Sequence, residues 1–299
     1  MIRHHKTQHR PLARLTIMDI VADPTSLRET LQGYRNAEQT IGFVPTMGNL
    51  HAGHLSLVHR AAALADRVVV SIFVNPMQFG PNEDLDAYPR TLDADLAQLK
   101  AAGVALVFTP QPEHIYPEGV AAHTKVSVPN LTNVLCGASR PGHFDGVTSV
   151  VCKLFNLVAP TVAVFGEKDL QQLLIIKKMV RDLALPVAIE GVATARADDG
   201  LALSSRNGYL TSEERGIAPG LRQALIAMGN AIANGERQYS DLCQHHSAQL
   251  KSQGFEPDYL EIRCRSTLAL AGADTQQLAI FAAAKLGKTR LIDNLQLDL

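Results

Sequence analysis

The chain has 299 residues, 46% of them hydrophobic and 19% charged, and a formal net charge of −1. That length gives room for two domains, or one large one, each with its own core. The near-zero charge speaks against a broad nucleic-acid footprint or a polybasic membrane surface, and no apolar run approaches the ~20 residues of a membrane span.

Residues 1–15 carry His4, His5 and His9 among lysines and arginines but no apolar stretch, so they lack the pattern of a secretory signal. They are read as part of an N-terminal extension, 1–17, expected to be disordered. Residues 41–45 form a short buried run that ends in a Gly-containing loop. Across 53–65, Leu55, Val58, Ala62 and Ala65 recur at three- and four-residue steps, the period of a helix. Residues 67–74 are apolar on both faces, as in a strand of a covered parallel sheet. Helices are predicted over 91–102, 146–158 and 169–182, and strands over 104–108, 161–165 and 187–192. This β-α-β rhythm predicts a Rossmann-like, doubly wound parallel sheet over 18–193.

Beyond a polar stretch at 196–208 the pattern changes. The start signal Thr211-Ser212-Glu213-Glu214 opens a predicted single helix over 211–234. A further helix is expected over 239–252, and strands over 258–264 and 278–285. A smaller α+β domain over 194–299 is the expectation. Cys136, Cys152, Cys243 and Cys264 show no C-x-x-C pairing and read as reduced thiols. With no signal or membrane segment in view, the cytoplasm is the expected location.

Chemistry concentrates where strands turn into helices. Met47-Gly48-Asn49-Leu50-His51-Ala52-Gly53-His54 places two imidazoles three residues apart at a helix start. Backbone N–H groups and the helix dipole make such a place an anion site. Gly48 permits a tight turn, and Gly53 a close approach to a phosphate. Gly166-Glu167-Lys168-Asp169 follows the strand over 161–165 at its C-terminal end, with Gln172 one turn on. Lys168 suits a phosphate and Gln172 a hydroxylated substrate. Leu203-Ser204-Ser205-Arg206 offers two hydroxyls and a guanidinium, a compact phosphate grip, and Gln78 follows the strand over 67–74. Glu83, Asp84 and Tyr88-Pro89-Arg90 read as a mobile loop, with a metal-binding run as the lesser alternative. Gly287-Lys288-Thr289 has the ending of a P-loop, but Ala282 stands where the first glycine is required. No G-x-G-x-x-G follows a strand.

Taken together these segments resemble the pantoate–β-alanine ligase (pantothenate synthetase) family, within the broader HxGH nucleotidyl-transferring group. The match runs through Val44-Pro45-Thr46-Met47-Gly48, Ser71-Ile72-Phe73-Val74-Asn75-Pro76-Met77-Gln78-Phe79 and Tyr88-Pro89-Arg90. It continues through Gly142-His143-Phe144-Asp145-Gly146-Val147, Lys153-Leu154-Phe155-Asn156 and Phe165-Gly166-Glu167-Lys168-Asp169 to Leu203-Ser204-Ser205-Arg206-Asn207.

The resemblance implies ATP-dependent condensation of (R)-pantoate with β-alanine to pantothenate, AMP and pyrophosphate through a bound pantoyl adenylate. It implies that Met47 to His54 hold ATP, with His54 the proton donor and His51 beside it. Gly166, Glu167, Lys168 and Asp169 would line the nucleotide. Ala195 would meet the adenine, and Leu203, Ser204, Ser205 and Arg206 would clamp phosphates. His54, His51, Lys168, Ser204, Ser205 and Arg206 are thus the expected catalytic set. Gln78 and Gln172 would hold pantoate, and Gln78 would also lie near β-alanine. Mg²⁺ would bind chiefly through the ATP phosphates, with Asp95 assisting, and the protein would be a homodimer with no nucleic-acid or membrane partner. The competing expectations are a nucleotidylyltransferase acting on a phosphorylated acceptor and a catalytically silent nucleotide-binding module.

Overall fold

The computed structural model describes residues 17–81 and 83–299, so the expected extension lies outside it up to residue 16. The first strand, β1 (Asp19–Val21), and the first helix, α1 (Pro24–Asn36), were not foreseen. β1 is too short for any alternation to register. α1 buries only Leu27 and Leu31, one turn apart in an otherwise polar segment.

The next elements follow the predicted order: β2 (Ile41–Thr46), α2 (Ala52–Leu64), β3 (Arg67–Ile72), α3 (Leu92–Ala101) and β4 (Leu106–Phe108). Short helices α4 (Pro112–Ile115) and α5 (Cys136–Ser139) lead to α6 (His143–Val158), β5 (Val162–Gly166), α7 (Leu170–Asp182) and β6 (Ala188–Val192). The six strands pair in the order β1-β4-β3-β2-β5-β6, all parallel. Successive residues point to opposite faces. Phe43, Val69 and Phe165 therefore pack with α1, α6 and α7, while Val44, Val70 and Val164 pack with α2 and α3. Both faces are covered, which is why these strands show apolar runs rather than alternation.

The strand order reverses between β2 and β5. From β2 the chain moves outward through β3 and β4, then returns to place β5 on β2's other side. β2 and β5 pair only at Gly42–Val162 and Phe43–Ala163, so nothing joins their carboxyl ends. A crevice at such a reversal is where open α/β sheets bind ligands.

After β6 come α8 (Ser212–Ile217), α9 (Gly220–Ala233) and α10 (Tyr239–Ser252), then the antiparallel sheet β7 (Phe255–Cys264), β8 (Gln277–Leu286) and β9 (Thr289–Asp298). The single helix expected over 211–234 is two. Pro219 has no N–H to give, and its ring clashes with the preceding turn, so the helix breaks there. The start signal itself holds: Thr211 and Glu214 form a reciprocal cap. β9 was also unforeseen, because its buried positions include Asp293 and Asn294 and interrupt the apolar alternation. The P-loop-like ending at 287–289 is the turn from β8 into β9. Leu225, Met228, Ile280 and Leu291 belong to a core separate from that of the parallel sheet. Among the described residues no helix is long and apolar enough to cross a membrane.

Candidate active site

The loop leaving β2 is shaped around a buried carboxylate. Asp95, 1% exposed on α3, accepts the backbone N–H groups of Asn49 at 2.9 Å and Leu50 at 2.8 Å. The chain bends through left-handed conformations at Gly48 and Asn49, with φ of 81° and 50°. A side chain at Gly48 would press on Asp95 Oδ2 at 3.0 Å and Ile72 at 3.1 Å, so glycine is required there. Asp95 does not line the cleft, and its two oxygens are engaged by the loop, with the Thr91 hydroxyl beside them. Held by the loop and set apart from the cleft's lining, this carboxylate shows nothing that supports the expected metal role. Among the described residues no group of three or more His, Cys, Asp or Glu side chains could hold a metal ion.

The two histidines cap α2 through each other. His51 Nδ1 accepts the Gly53 N–H at 3.1 Å, and His54 Nδ1 accepts the His51 N–H at 3.3 Å. Their rings lie 4.1 Å apart between centroids. With both Nδ1 atoms accepting, each neutral ring carries its proton on Nε2. Burial, followed by the neighbouring His51 and offset in part by Asp169, lowers the pKa of His54 to about 3. His51 is lowered too, by burial and then by Lys168. At neutral pH the pair in the free protein consists of two uncharged N–H donors.

Gln78 is positioned by a network that sequence reading missed. Asn75, 1% exposed, accepts the Tyr116 hydroxyl at 2.6 Å and donates to Gln78 Oε1 at 3.0 Å and to the Gly146 carbonyl at 3.2 Å. Gln78 Nε2 is left as the donor, 3.3 Å from Met47 Sδ. A Cβ at Gly146 would fall 2.3 Å from the Met77 carbonyl oxygen, so only glycine lets α6 seat the Gln78 turn. The Gln78 backbone carbonyl meets His143 Nδ1 at 2.7 Å, and His143 Nε2 faces Arg140 at 3.0 Å. Burial and then Arg140 push His143 down to about 4, so its neutral ring donates to the carbonyl and accepts from Arg140.

Across the crevice, Gly166, Lys168, Asp169 and Gln172 line the wall that begins at the end of β5. Ser205 donates to the Asn49 carbonyl at 3.1 Å, joining its loop to the one after β2. Arg206 forms a two-pronged pair with Asp84, at 3.0 and 2.8 Å, above the ring of Tyr88. Glu83 pairs likewise with Arg140, so these carboxylates face arginines rather than each other. Ala195 and Leu203 line the far wall, and the Leu203 N–H bonds to the Ala195 carbonyl at 2.9 Å.

These groups surround a cavity of about 260 Å³. A wider cleft of about 1010 Å³ beneath the C-terminal sheet shares Lys168, Gln172 and Arg206 with it. Met47, His51, Gly53, His54, Gln78, Ser204 and Ser205 also line the smaller cavity. Gly48, Asn49, Leu50, Ala52 and Glu167 do not line it; they shape the loops behind it. The cavity gathers neutral N–H donors, an ammonium, a guanidinium and two side-chain amides, as suits a polyanion beside a small hydroxylated acid.

Residues 19–296 match the family model described as Pantoate-beta-alanine ligase. The chain is 57% identical over 272 residues to the pantothenate synthetase of Shewanella baltica (strain OS223), covering 91% of this chain and 96% of that one. Its fold is similar to the crystal structure of pantothenate synthetase from Thermus thermophilus, with a TM-score of 0.87, 46% identity and coverage of 93% and 99%. It is also similar to the pantoate-beta-alanine ligase of Francisella tularensis complexed with beta-gamma ATP and beta-alanine, with a TM-score of 0.78, 36% identity and coverage of 93% and 97%.

Proposed function

The chain belongs to the pantoate-beta-alanine ligase family, and on that premise we propose that it joins (R)-pantoate to β-alanine with ATP, through a held pantoyl adenylate. The observation that carries the reading is the crevice at the β2/β5 reversal. There His51, His54, Lys168, Gln78 and Gln172 all line one cavity. A carboxylate is a poor acyl donor until its oxygen can leave. In the first step a pantoate carboxylate oxygen attacks the α-phosphorus of ATP, a P–O bond forms, and the bond to the β-phosphate oxygen breaks to release pyrophosphate. In the second, the neutral amine of β-alanine attacks the acyl carbon, the C–O bond breaks, AMP leaves and the nitrogen loses a proton.

Each residue has a part that follows from its chemistry. The Nε2–H groups of His51 and His54 donate to phosphate oxygens as charge builds at the α-phosphorus. Lys168 supplies a positive charge, and Ser204, Ser205 and Arg206 hold the departing phosphates. Gln78, its side-chain carbonyl fixed by Asn75, and Gln172 bind pantoate's hydroxyl and carboxylate groups. Ala195 presents its backbone to the adenine. Asp95 acts on the loop of 48–50 rather than on a metal. Mg²⁺ would supply charge neutralisation when bound with ATP; among the described residues no group of His, Cys, Asp or Glu forms a cage for it, and no step is assigned to it.

The division into 18–193 and 194–299 belongs to the same reading and is supported by a core around Leu225, Met228 and Ile280 that lies wholly within 194–299. So do a cytoplasmic location and a homodimer, the latter testable by sedimentation. Incubation with ATP, pantoate and β-alanine tests the activity. AMP that forms only when both acids are present supports it. A nucleotide adduct to a phosphorylated acceptor favours the nucleotidylyltransferase alternative, and no turnover leaves only a binding module.

A further inference from the structure

Lys168 lies on the short turn Glu167–Asp169 between β5 and α7, with Asp169 3.9 Å from its ammonium. A lysine stem is long and flexible, so where its charge comes to rest depends on how firmly the backbone beneath it is held. The two carbonyls of that turn do not serve a neighbour in the parallel sheet. The Glu167 and Lys168 carbonyl oxygens both accept from the side-chain amide of Asn294, at 2.8 and 3.0 Å. Asn294 stands on β9, 126 residues away from Lys168 in the chain, and is 6% exposed.

Asn294 is itself fixed. Its N–H donates to the Asp293 carboxylate at 2.7 Å, and its carbonyl accepts from Arg222 at 3.1 Å. Asp293 in turn holds Arg196 through two bonds, at 2.7 and 2.9 Å. Two residues on, Gln296 reaches the Glu167 carboxylate at 3.3 Å, a second grip on the same turn. A primary amide suits the position because one nitrogen carries two donors, one for each carbonyl. An apolar residue there would leave two carbonyls without those donors.

We propose that Asn294 is a positioning residue for Lys168: from the C-terminal sheet it fixes the turn whose ammonium faces the cleft. The smaller domain thereby sets part of the phosphate-binding geometry of the larger one. This rests on the reading of Lys168 as a phosphate-binding cation, and the test separates the two.

Asn294→Ala and Asn294→Ser are made in the full chain, alone and in a Lys168→Ala background. AMP formation is followed at saturating substrates, with melting temperature recorded alongside. Misplacement of a reacting group by about an ångström costs up to 10²-fold, so Asn294→Ala is expected to lower kcat roughly tenfold, with KM for pantoate changed by less than about twofold. Asn294→Ser keeps one donor and recovers part of the loss; it also serves if the alanine variant does not fold. With Lys168 already removed, the same substitutions change kcat by less than about twofold, because coupled residues are not additive. An equal loss in both backgrounds, or none in the native one, overturns the proposal and leaves Lys168's role intact. An unchanged kcat in Lys168→Ala alone overturns that role, and the proposal with it.

Discussion

His54 separates two kinds of catalysis that resemble each other on paper. A residue with a pKa of about 3 is protonated at pH 7 in only about one molecule in 10⁴. As a Brønsted acid in the free protein it would be almost always in the wrong form. As a neutral donor, with Nδ1 engaged by the His51 N–H, it is always in the right one. Removing a single preorganised donor of this kind costs about 10²–10³ in kcat, or ~3–4 kcal/mol of transition-state stabilisation. His54→Ala should show that loss in a steady-state assay of AMP release, and a loss below about threefold refutes the assignment. The pH arm is independent of the magnitude. The profile of kcat/KM for ATP reports groups of the free protein, so it should carry no inflection near 6.5 that belongs to His54. An inflection there that vanishes in His54→Gln would show that the ring titrates where ordinary histidines do, and the argument from its buried, back-bonded environment would fail.

Asp95→Asn keeps the shape under the 48–50 loop but replaces a charged acceptor of two N–H groups. It should cost ~1–3 kcal/mol in urea unfolding and raise KM for ATP, and unchanged values of both would remove Asp95 from the loop's support. Acid should destabilise the fold through His54 and His143, held at about 3 and 4 against 6.5 for an unperturbed histidine. Below 6.5 the unfolded chain takes up protons that the folded rings refuse. Stability is therefore intact above that pH and falls toward 4 by up to ~1.4 kcal/mol per pH unit for each ring; a flat unfolding free energy across that window contradicts it. Gln78→Ala should weaken pantoate binding while ATP affinity stays near normal, and an equal loss for ATP in calorimetry would misplace the residue.

Much of the site was legible because it lies where strand punctuation is strongest. The residues after β2 and β5 announce themselves as glycine-bearing turns, with histidines in the first and Lys168 in the second, between an apolar run and a helical period, and the strand reversal then brings them to one crevice. The family resemblance added roles that no spacing contains. What stayed hidden is what acts through backbone partners or across the fold. Asp95 shows a carboxylate in the sequence, yet its partners are two N–H groups that no letter records. Tyr116 meets Asn75, and His143 meets Gln78, only after β3, α4 and α6 have packed. β9 escaped notice for a reason that bears on function. The residues that spoil its apolar alternation are Asp293 and Asn294, the two that reach Arg196 and the Lys168 turn.

The cations of the cleft also differ in how they are held before any substrate arrives. Arg206 and Arg140 rest against Asp84 and Glu83, so an incoming phosphate must compete with a carboxylate already paired two-pronged with each guanidinium. Among the described residues no carboxylate is hydrogen-bonded to the histidines, though Asp169 acts on both: their Nδ1 atoms are fixed by the backbone, and their Nε2 protons require no ionisation. Lys168 lies between these cases, its backbone anchored by Asn294 and its ammonium near Asp169 only at 3.9 Å. Donors fixed in advance cost no reorganisation when charge develops, whereas paired ones respond to ligand. In the proposed function, chemistry at the α-phosphorus would therefore fall to the histidine pair and Lys168, and Arg206, paired with Asp84 until a phosphate displaces it, would hold the pyrophosphate that has to leave.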